Sequence, residues 1–175
     1  MIPSWTRIES GQLQQGDLLA RCAVPVFPDD YAESPGPSQV GMLIWDLIVM
    51  THSCDLENEK VDHVSLCPVH SLNVLAGIDG KFEKADEREN IRRAKYEALH
   101  MLATPGNPTD LEGVLIVDFR RIFSLPVGYL TQRAGQSGPR WRLEPPFLEH
   151  FSQAFARFFM RVGLPSSIPS FTRRK

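Results

Sequence analysis

Short apolar runs separated by turn residues dominate the pattern along this chain. Runs of about four to eight apolar or β-branched residues bounded by turn residues are typical of buried strands. Six segments have this character: Leu18–Val24, Asp46–Met50, Val64–Val69, Gly113–Phe119, Ile122–Val127 and Arg140–Leu143. The sequence therefore predicts a core built largely from strands.

A middle helix is predicted between Phe82 and Ala103. Apolar residues recur there three or four positions apart, at Ile91, Ala94, Ala98, Leu99 and Leu102. This spacing places them on one face of a helix.

A second, amphipathic helix is predicted near the carboxyl end. Seven apolar residues recur there at helical spacing: Phe147, Leu148, Phe151, Phe155, Phe158, Phe159 and Val162. Pro145 and Pro146 stand where a helix can begin, and Gly163 with Pro165 marks its end. The many phenylalanines indicate a face that packs on a core or a partner, because each ring buries a large apolar area.

The segments between these elements carry turn residues. Pro25–Gly41 is rich in proline and acidic residues, which predicts a long loop. His70–Gly80 is short and mixed, and Gln132–Pro139 is predicted to be a polar turn. Residues 1–15 are expected to form a lead-in and residues 56–61 a surface connection. Strands combined with two helices predict an α+β fold.

Length and composition fit one ordinary globular domain. The chain has 175 residues, 42% hydrophobic and 23% charged, with a formal net charge of −2. We expect a single domain over residues 1–165 and a loosely held tail over 166–175. The near-neutral charge gives no general attraction to nucleic acid or anionic membranes. Without a leader pattern or an apolar run of roughly 18 residues, the sequence indicates a cytoplasmic protein that does not contact membranes.

Reactive side chains concentrate in the stretch Trp45–Leu72, which holds three of the five histidines and two of the three cysteines. An odd number of cysteines favours free thiols in a reducing compartment over a framework of disulfides. Cys54 lies between His52 and Asp55 just beyond a predicted strand, so a thiolate nucleophile with a histidine base such as His70 is one candidate. An inert buried cysteine is the plainer alternative.

The same stretch contains side chains that zinc accepts as ligands. His52, Cys54, Cys67 and His70 lie within nineteen residues, with His63 between them. Structural zinc sites usually place paired cysteines on tight turns, and no CxxC occurs in this chain. We therefore assign no metal and no other cofactor, and keep this ligand set as an alternative.

A further candidate pair follows the strand at 113–119. Asp118 and Arg120 share a face of an extended chain, so they either line a cleft or form an ion pair that orders the strand end. No Walker loop, GxGxxG, HExxH or EF-hand loop is present. The sequence thus gives no positive support for a nucleotide cofactor, for a protease with the HExxH motif or for a calcium site.

Several short motifs occur in an order found in a known family. Gly16-Asp17 opens a strand, and residues 36–41 have the form Gly-x-x-Gln-x-Gly. Leu47–Met50 with its polar exit, Val64–Ser71 and Gly113–Phe123 follow as further strands. In this order the motifs resemble those of the MazF/PemK toxin superfamily, and the likeness covers roughly half of the chain.

The resemblance implies a small SH3-like β-barrel with a middle helix and a C-terminal helix, as found in bacterial toxin–antitoxin pairs. The family's catalytic arginine and a proline follow its Gln-x-Gly loop, whereas this chain has Met42 and Leu43 there. We therefore expect a module that binds RNA or a protein in a toxin–antitoxin or phage-defence system. A protein partner or a homodimer is expected.

The alternative is an enzyme. An endoribonuclease would use His70, Ser71, Asp118 and Arg120, because metal-free RNA cleavage needs a base near the 2′-hydroxyl and a cation over the phosphate. A hydrolase would instead be centred on residues 51–71, with Cys54 as nucleophile beside His52 and Asp55.

Overall fold

The computed structural model describes residues 3–33, 35–36, 39–107, 109–111 and 113–160. Eight strands lie in these residues: β1 (Trp5–Ile8), β2 (Asp17–Val26), β3 (Gly41–Val49), β4 (His63–Ser71), β5 (Leu99–Leu102), β6 (Leu115–Asp118), β7 (Phe123–Pro126) and β8 (Arg140–Leu143). They are accompanied by five α-helices: α1 (Ser53–Glu57), α2 (Leu72–Ile78), α3 (Ala85–Arg92), α4 (Val127–Ser137) and α5 (Phe147–Phe159). The protein has an α+β fold, as its sequence predicts.

All eight strands belong to one antiparallel sheet. They follow the order β1-β8-β2-β3-β4-β6-β5, and β7 pairs with β4 beside this path. Within the described residues the outer strands β1 and β5 do not pair with each other. The sheet is therefore open and not closed into a barrel.

The strand β4 has neighbours on both sides. On one side it pairs with β3, from Asp46 opposite Val69 to Val49 opposite Leu66. On the other side the first half of β4 pairs with β7 and the second half with β6. Three strands therefore pair with β4.

Each face of the sheet packs against its own helix, because successive residues of a strand point to opposite faces. One core includes α4 and contains Leu47, Val49, Val64, Leu66 and Leu130. The opposite core includes α5 and contains Ile48, Cys67, Val117, Phe119 and Phe151. A third core joins α2 and α3 to β5 and β6 through Leu72, Leu75, Ile91, Leu99 and Ile116.

A buried carboxylate joins the start of β2 to β8. Asp17 is fully buried, and its Oδ2 accepts hydrogen bonds from Arg140 Nε at 2.8 Å and from Arg142 Nη2 at 2.9 Å. Arg140 Nη2 also donates to the carbonyl oxygens of Gly11 and Gln12. A buried charge is tolerated only when it is paired and hydrogen-bonded, so this cluster fixes β2 against β8.

The glycine before Asp17 is required by its backbone and by its surroundings. Gly16 has a φ of +83°, which favours glycine. A Cβ at this position would lie 2.9 Å from Leu148 Cδ1 and 3.0 Å from Leu143 Cβ. The Gly-Asp motif noted in the sequence thus has a structural origin in close packing and a buried ion cluster.

The predicted helix from Phe82 to Ala103 is wrong in its second half. A 3-10 turn at Gly80–Glu83 precedes α3, which ends at Arg92. Ala94 then takes a positive φ of 54°, and the chain enters β5. The apolar spacing that predicted one long helix is shared between a short helix and a strand.

Other elements lie where the sequence predicted irregular structure. The helix α2 occupies most of His70–Gly80, and α1 lies at the exit of β3. The predicted polar turn at Gln132–Pro139 is instead the second half of α4. That helix buries only Leu130 and Ala134, which is too sparse a pattern to reveal amphipathic character. The lead-in contains β1.

The C-terminal helix begins where the sequence predicts. Its first residue, Phe147, directly follows Pro145 and Pro146. The predicted end at Gly163 and Pro165 and the tail at 166–175 lie outside the described residues. Among the helices of the described chain, none is long and apolar enough to cross a membrane.

Candidate functional site: a notch beside a two-stranded arm

The hairpin formed by β2 and β3 extends beyond the rest of the sheet. β3 pairs with β2 as far as Gly41, whereas β4 meets β3 only over residues 46–49. Beyond that point β4 turns into α2, where the Ser71 hydroxyl caps the helix by accepting from the Val74 N–H. We call residues 23–27 with 41–45 the arm, and the cleft between the arm and α2 the notch.

The notch is an open cleft of about 440 Å³. Eight residues line it: Arg21, Ile44, Trp45, Asp46, Val69, His70, Val74 and Ile78. They come from β2, β3, β4 and α2. The cleft exists because β4 pairs with β3 only as far as Val69 and turns into α2 after Ser71, whereas β3 extends further along β2.

The arm and the rim of the notch expose an unusual number of apolar side chains. Ile44, Val74 and Ile78 line the cleft, and four more lie on the arm without lining it: Val26, Phe27, Met42 and Leu43. Met42 is 57% exposed, Ile44 54% and Ile78 69%. Because Met42 and Ile44 alternate with Leu43 along β3, both faces of the arm are apolar.

Trp45 forms the wall between the notch and the sheet. Its ring meets the His70 ring edge to face, with centroids 5.0 Å apart, and tilts against Phe123 at 6.2 Å. The guanidinium carbon of Arg121 lies 5.3 Å from the centre of the same ring. An aromatic ring with a cation on it is thus held at the edge of an open cleft, an arrangement worth about 0.5–1 kcal/mol where exposed.

His70 is half-buried at the end of β4. Burial lowers its pKa; Asp118 acts in the opposite direction, and the nearby guanidinium groups of Arg121 and Arg120 lower it further. His70 is therefore neutral at pH 7 and can accept a proton. Asp118 lies on the neighbouring strand, two residues beyond Ile116, which faces His70 in the register of β4 and β6.

The bend in β2 that places Arg21 beside the notch is a local irregularity of the strand. The pairing of β2 with β3 shifts between Leu19 and Cys22, and Arg21 takes a positive φ of 53°. The Arg21 N–H donates to Asp46 Oδ1 at 2.8 Å. A bulge of this kind redirects a side chain, and here Arg21 is exposed at the notch.

Asp118 and Arg120 form the ion pair that the sequence offered as one of two alternatives. Arg120 donates to Asp118 through Nε at 2.8 Å and Nη2 at 2.7 Å, and through its N–H at 3.0 Å. Burial would raise the pKa of Asp118, but these hydrogen bonds outweigh it and lower the pKa. The carboxylate stays charged and is held by its neighbour.

The residues around Cys54 lie elsewhere. His52 precedes α1, and its Nδ1 accepts a hydrogen bond from the Cys54 N–H at 3.3 Å, so its side chain caps the helix. Asp55 forms an exposed ion pair with Lys60. His52 lines a shallow surface hollow with residues of α5, including Glu149 and Ser152, and not the notch. His52 and His70 therefore belong to separate clefts.

The four alternative zinc ligands do not converge. Cys67 is fully buried in the core beneath α5, where burial raises the pKa of its thiol to about 12. Cys54 is exposed on α1. In the described part of the chain, no three His, Cys, Asp or Glu side chains are grouped closely enough to hold a metal ion.

Of the sequence candidates, the structure brings together His70, Asp118 and Arg120, with Ser71 next to them as a helix cap. Three residues of the notch were not among the site residues expected from the sequence: Arg21, Trp45 and Asp46. The sequence did contain a signal for the exposed arm. The segment Gly41–Trp45 is uncharged and extends the predicted strand back to the end of the proline-rich loop.

In comparisons with known proteins, no family model and no curated protein matches this chain.

Proposed function

We propose that this protein is a protein-interaction module whose binding surface is the arm together with the notch. The observation that carries the proposal is the exposed apolar surface on both faces of the arm, continued by Val74 and Ile78 of α2. Contiguous apolar surface rimmed by polar residues marks an interaction site, because leaving it in water costs free energy.

The charges around the notch define a further property of the partner. Arg21 and Arg121 are both exposed beside Trp45. Cations at the rim of an apolar surface favour a partner with acidic residues flanking its apolar contact. The net charge of −2 favours a protein over a nucleic acid as the main partner.

Within this proposal the chain is a divergent relative of the MazF/PemK proteins in which the sheet is open, acting in a toxin–antitoxin or phage-defence system. Support comes from the Gly16-Asp17 opening of β2, the antiparallel succession of β2, β3 and β4, and the helix α5 packed on the sheet. Met42 and Leu43 replace the family's catalytic arginine and proline, and both are exposed on the arm. Apolar side chains at these positions suit binding rather than RNA cleavage.

Affinity capture tests the proposal. Immobilised wild-type protein is expected to retain a specific partner from an extract of the source cells, and Ile44→Lys is expected to lose it, because a charge would be buried in the contact. Leu111→Lys is the matched control, since Leu111 is 76% exposed and lines a different cleft, beside Arg88 of α3. Equal capture by all three proteins would overturn the proposal.

A second candidate is binding of single-stranded RNA, favoured by one observation: Trp45 carries Arg121 on its ring and stands beside Arg21. Base stacking on an aromatic ring flanked by arginines is a common mode of single-strand recognition. Fluorescence anisotropy with a random-sequence RNA oligonucleotide tests it. Binding that weakens with salt and is lost in Trp45→Ala supports RNA as the ligand; absence of binding at low salt rejects it.

The enzymatic alternatives have sharper tests. RNA cleavage by the purified protein that is abolished in His70→Ala and retained in His63→Ala would establish an endoribonuclease at the notch. Hydrolase activity abolished in Cys54→Ser would establish the site near α1. The structural roles of Ser71, Asp118 and His52 as helix cap or ion-pair partner favour the binding function.

A further inference from the structure

We propose that a second cleft, between the segment after β1 and the end of α4, binds a free amino acid. The carboxylate of the ligand would lie at Arg140, and its ammonium group beside Glu9 and the carboxyl end of α4. The site is independent of the proposed function, because this cleft shares no residue with the arm or the notch.

The cleft has a volume of about 270 Å³. One wall comes from residues 9–11, directly after β1, and another from the last two turns of α4 and its cap, through Thr131, Gly135 and Gly138. Arg140 of β8 lines the cleft as well. Sites for drug-sized molecules usually have volumes of roughly 300–1,000 Å³, so this cleft suits a smaller metabolite.

Arg140 brings a buried positive charge with unused hydrogen-bond donors to the cleft. Only 6% of its side chain is exposed. Its Nε donates to Asp17 and its Nη2 to the carbonyl oxygens of Gly11 and Gln12, whereas no described residue accepts from its Nη1. Every fully buried side-chain nitrogen in the described part of the chain has a partner, so Nη1 is not fully buried. A ligand in the cleft can therefore accept hydrogen bonds from Nη1.

The ion cluster behind the cleft has an excess of positive charge. Asp17 accepts hydrogen bonds from both Arg140 and Arg142, so one carboxylate faces two guanidinium groups. A buried cation is stabilised by a compensating charge, which the carboxylate of a ligand at Nη1 would supply. Hydrogen bonds between a guanidinium group and a carboxylate are among the strongest in proteins.

Other parts of the cleft carry negative charge. Glu9 lines it, and the ion pair of Glu9 with Arg7 is exposed on both sides and therefore weak. The last carbonyl groups of a helix have no partner within it and carry partial negative charge, and α4 ends beside the cleft at Gly138. These groups repel a phosphate and attract an ammonium group. A free amino acid carries a carboxylate and an ammonium group on the same carbon atom, so it matches both kinds of charge in a small space.

Three glycines leave the cleft unfilled. A Cβ at Gly11, Gly135 or Gly138 would meet no atom within 4 Å. Gly11 and Gly138 have positive φ values of 124° and 74°, which favour glycine. Gly135 lies inside α4, where glycine is unfavourable for the helix. Glycine at position 135 thus keeps the cleft open at a cost in helix stability.

Thermal unfolding of the full chain in the presence of each standard amino acid in turn tests for binding. A ligand that binds the folded protein alone raises its Tm, and calorimetry then gives the dissociation constant. At least one amino acid is expected to bind. Its N-acetyl derivative, which lacks the ammonium group, and the corresponding amine, which lacks the carboxylate, are each expected to bind at least about tenfold more weakly, because each loses a charge-assisted hydrogen bond.

Two glycines of α4 provide matched variants that locate the site. Gly135→Leu places a side chain in the cleft, whereas Gly128→Leu places one on the same helix outside it. Both positions are exposed, and leucine favours a helix more than glycine does, so both variants are expected to fold, which circular dichroism checks. Gly135→Leu is expected to weaken amino-acid binding at least about tenfold by occupying the cleft, and Gly128→Leu to bind like the wild type.

Three results would overturn the amino-acid site. The first is a wild-type protein that binds none of the standard amino acids. The second is an N-acetyl derivative that binds as tightly as the amino acid itself, since the ligand would then be a simple anion. The third is full affinity in Gly135→Leu. None of these results bears on the arm, where capture of a partner and its loss in Ile44→Lys test the proposed function separately.

Discussion

Asp17 and Arg140 form an ion pair in which both side chains are buried, with 0% and 6% of their surface exposed and a distance of 2.8 Å between Oδ2 and Nε. The two residues are 123 positions apart in the sequence. The pair therefore connects the beginning of β2 to a strand near the end of the described chain.

The first prediction concerns this pair. Asp17→Asn is expected to lower the free energy of unfolding by about 3–5 kcal/mol, because it leaves the buried Arg140 guanidinium without a counter-charge. Urea denaturation will measure the loss. Asp55→Asn is the control, since its partner Lys60 is at the surface, and it should cost less than about 1 kcal/mol. Equal effects of the two variants would contradict a special role for Asp17.

The second prediction compares two glycines. Gly16→Ala is expected to destabilise the protein by about 1–3 kcal/mol, because alanine is strained at a φ of +83° and its Cβ would lie too close to Leu148. Gly135→Ala, in α4, meets no atom within 4 Å and should stabilise the protein by up to about 1 kcal/mol. Thermal unfolding distinguishes them, and a stable Gly16→Ala protein would show that β2 can shift.

The third prediction is a loss of stability in mild acid. His100 packs against the rings of both Phe119 and Phe151, and burial lowers its pKa to about 4, with a smaller contribution from His150. As pH falls below about 6.5, the unfolded chain binds a proton at His100 that the folded protein does not bind until about pH 4. The stabilisation is complete above pH 6.5 and is lost towards pH 4, by up to about 3 kcal/mol.

Urea denaturation at pH 7.5 and at lower pH will measure this dependence. His100→Leu should flatten it, because the residue then has no proton to bind in either state. His63→Gln is the control, since His63 is exposed at the start of β4. If His100→Leu keeps the full acid sensitivity of the wild type, other groups are responsible for it.

The fourth prediction concerns thiol reactivity. Cys54 is exposed, whereas Cys22 and Cys67 are fully buried and burial raises their pKa to about 11 and about 12. Since the thiolate is the reactive form, the native protein should show one fast equivalent with an aromatic disulfide reagent at pH 8. Cys54→Ser should remove it. Two or three fast equivalents would mean that the cores open readily.

Much of the sheet could be predicted from the sequence, because β4, β6 and the inner parts of β2 and β3 are buried and carry apolar runs. The helix α4 could not be predicted, since it has two glycines and a polar surface and buries only Leu130 and Ala134. The segment after Arg92 misled the prediction because Leu99 and Leu102 keep helical spacing from Ile91 while lying on a strand. Local periodicity cannot show where a chain reverses.

The site was predicted in part. His70, Asp118 and Arg120 were recognised as polar residues at strand ends. Antiparallel strands end on opposite sides of their ladder, but β4 and β6 pair over only three residues, so Asp118 still lies near His70. The sequence did not indicate Trp45 and Arg21 as site residues. Their position depends on where the pairing of β4 with β3 ends, and the sequence of a single strand does not show how far its pairing extends. His52 and Cys54 are close in sequence to His70 but are directed elsewhere by the short helix α1.

The edge of β4 that pairs with both β6 and β7 has a consequence for protein synthesis. Val64 and Leu66 lie on the part of β4 that pairs with β7, and β7 ends at Pro126. The ribosome must therefore add some sixty residues after Val64 and Leu66 before β7 can pair with β4. During that interval an uncovered apolar strand is accessible to chaperones and to neighbouring nascent chains. Until β7 is translated, this edge of β4 lacks the strand that pairs with it in the folded protein.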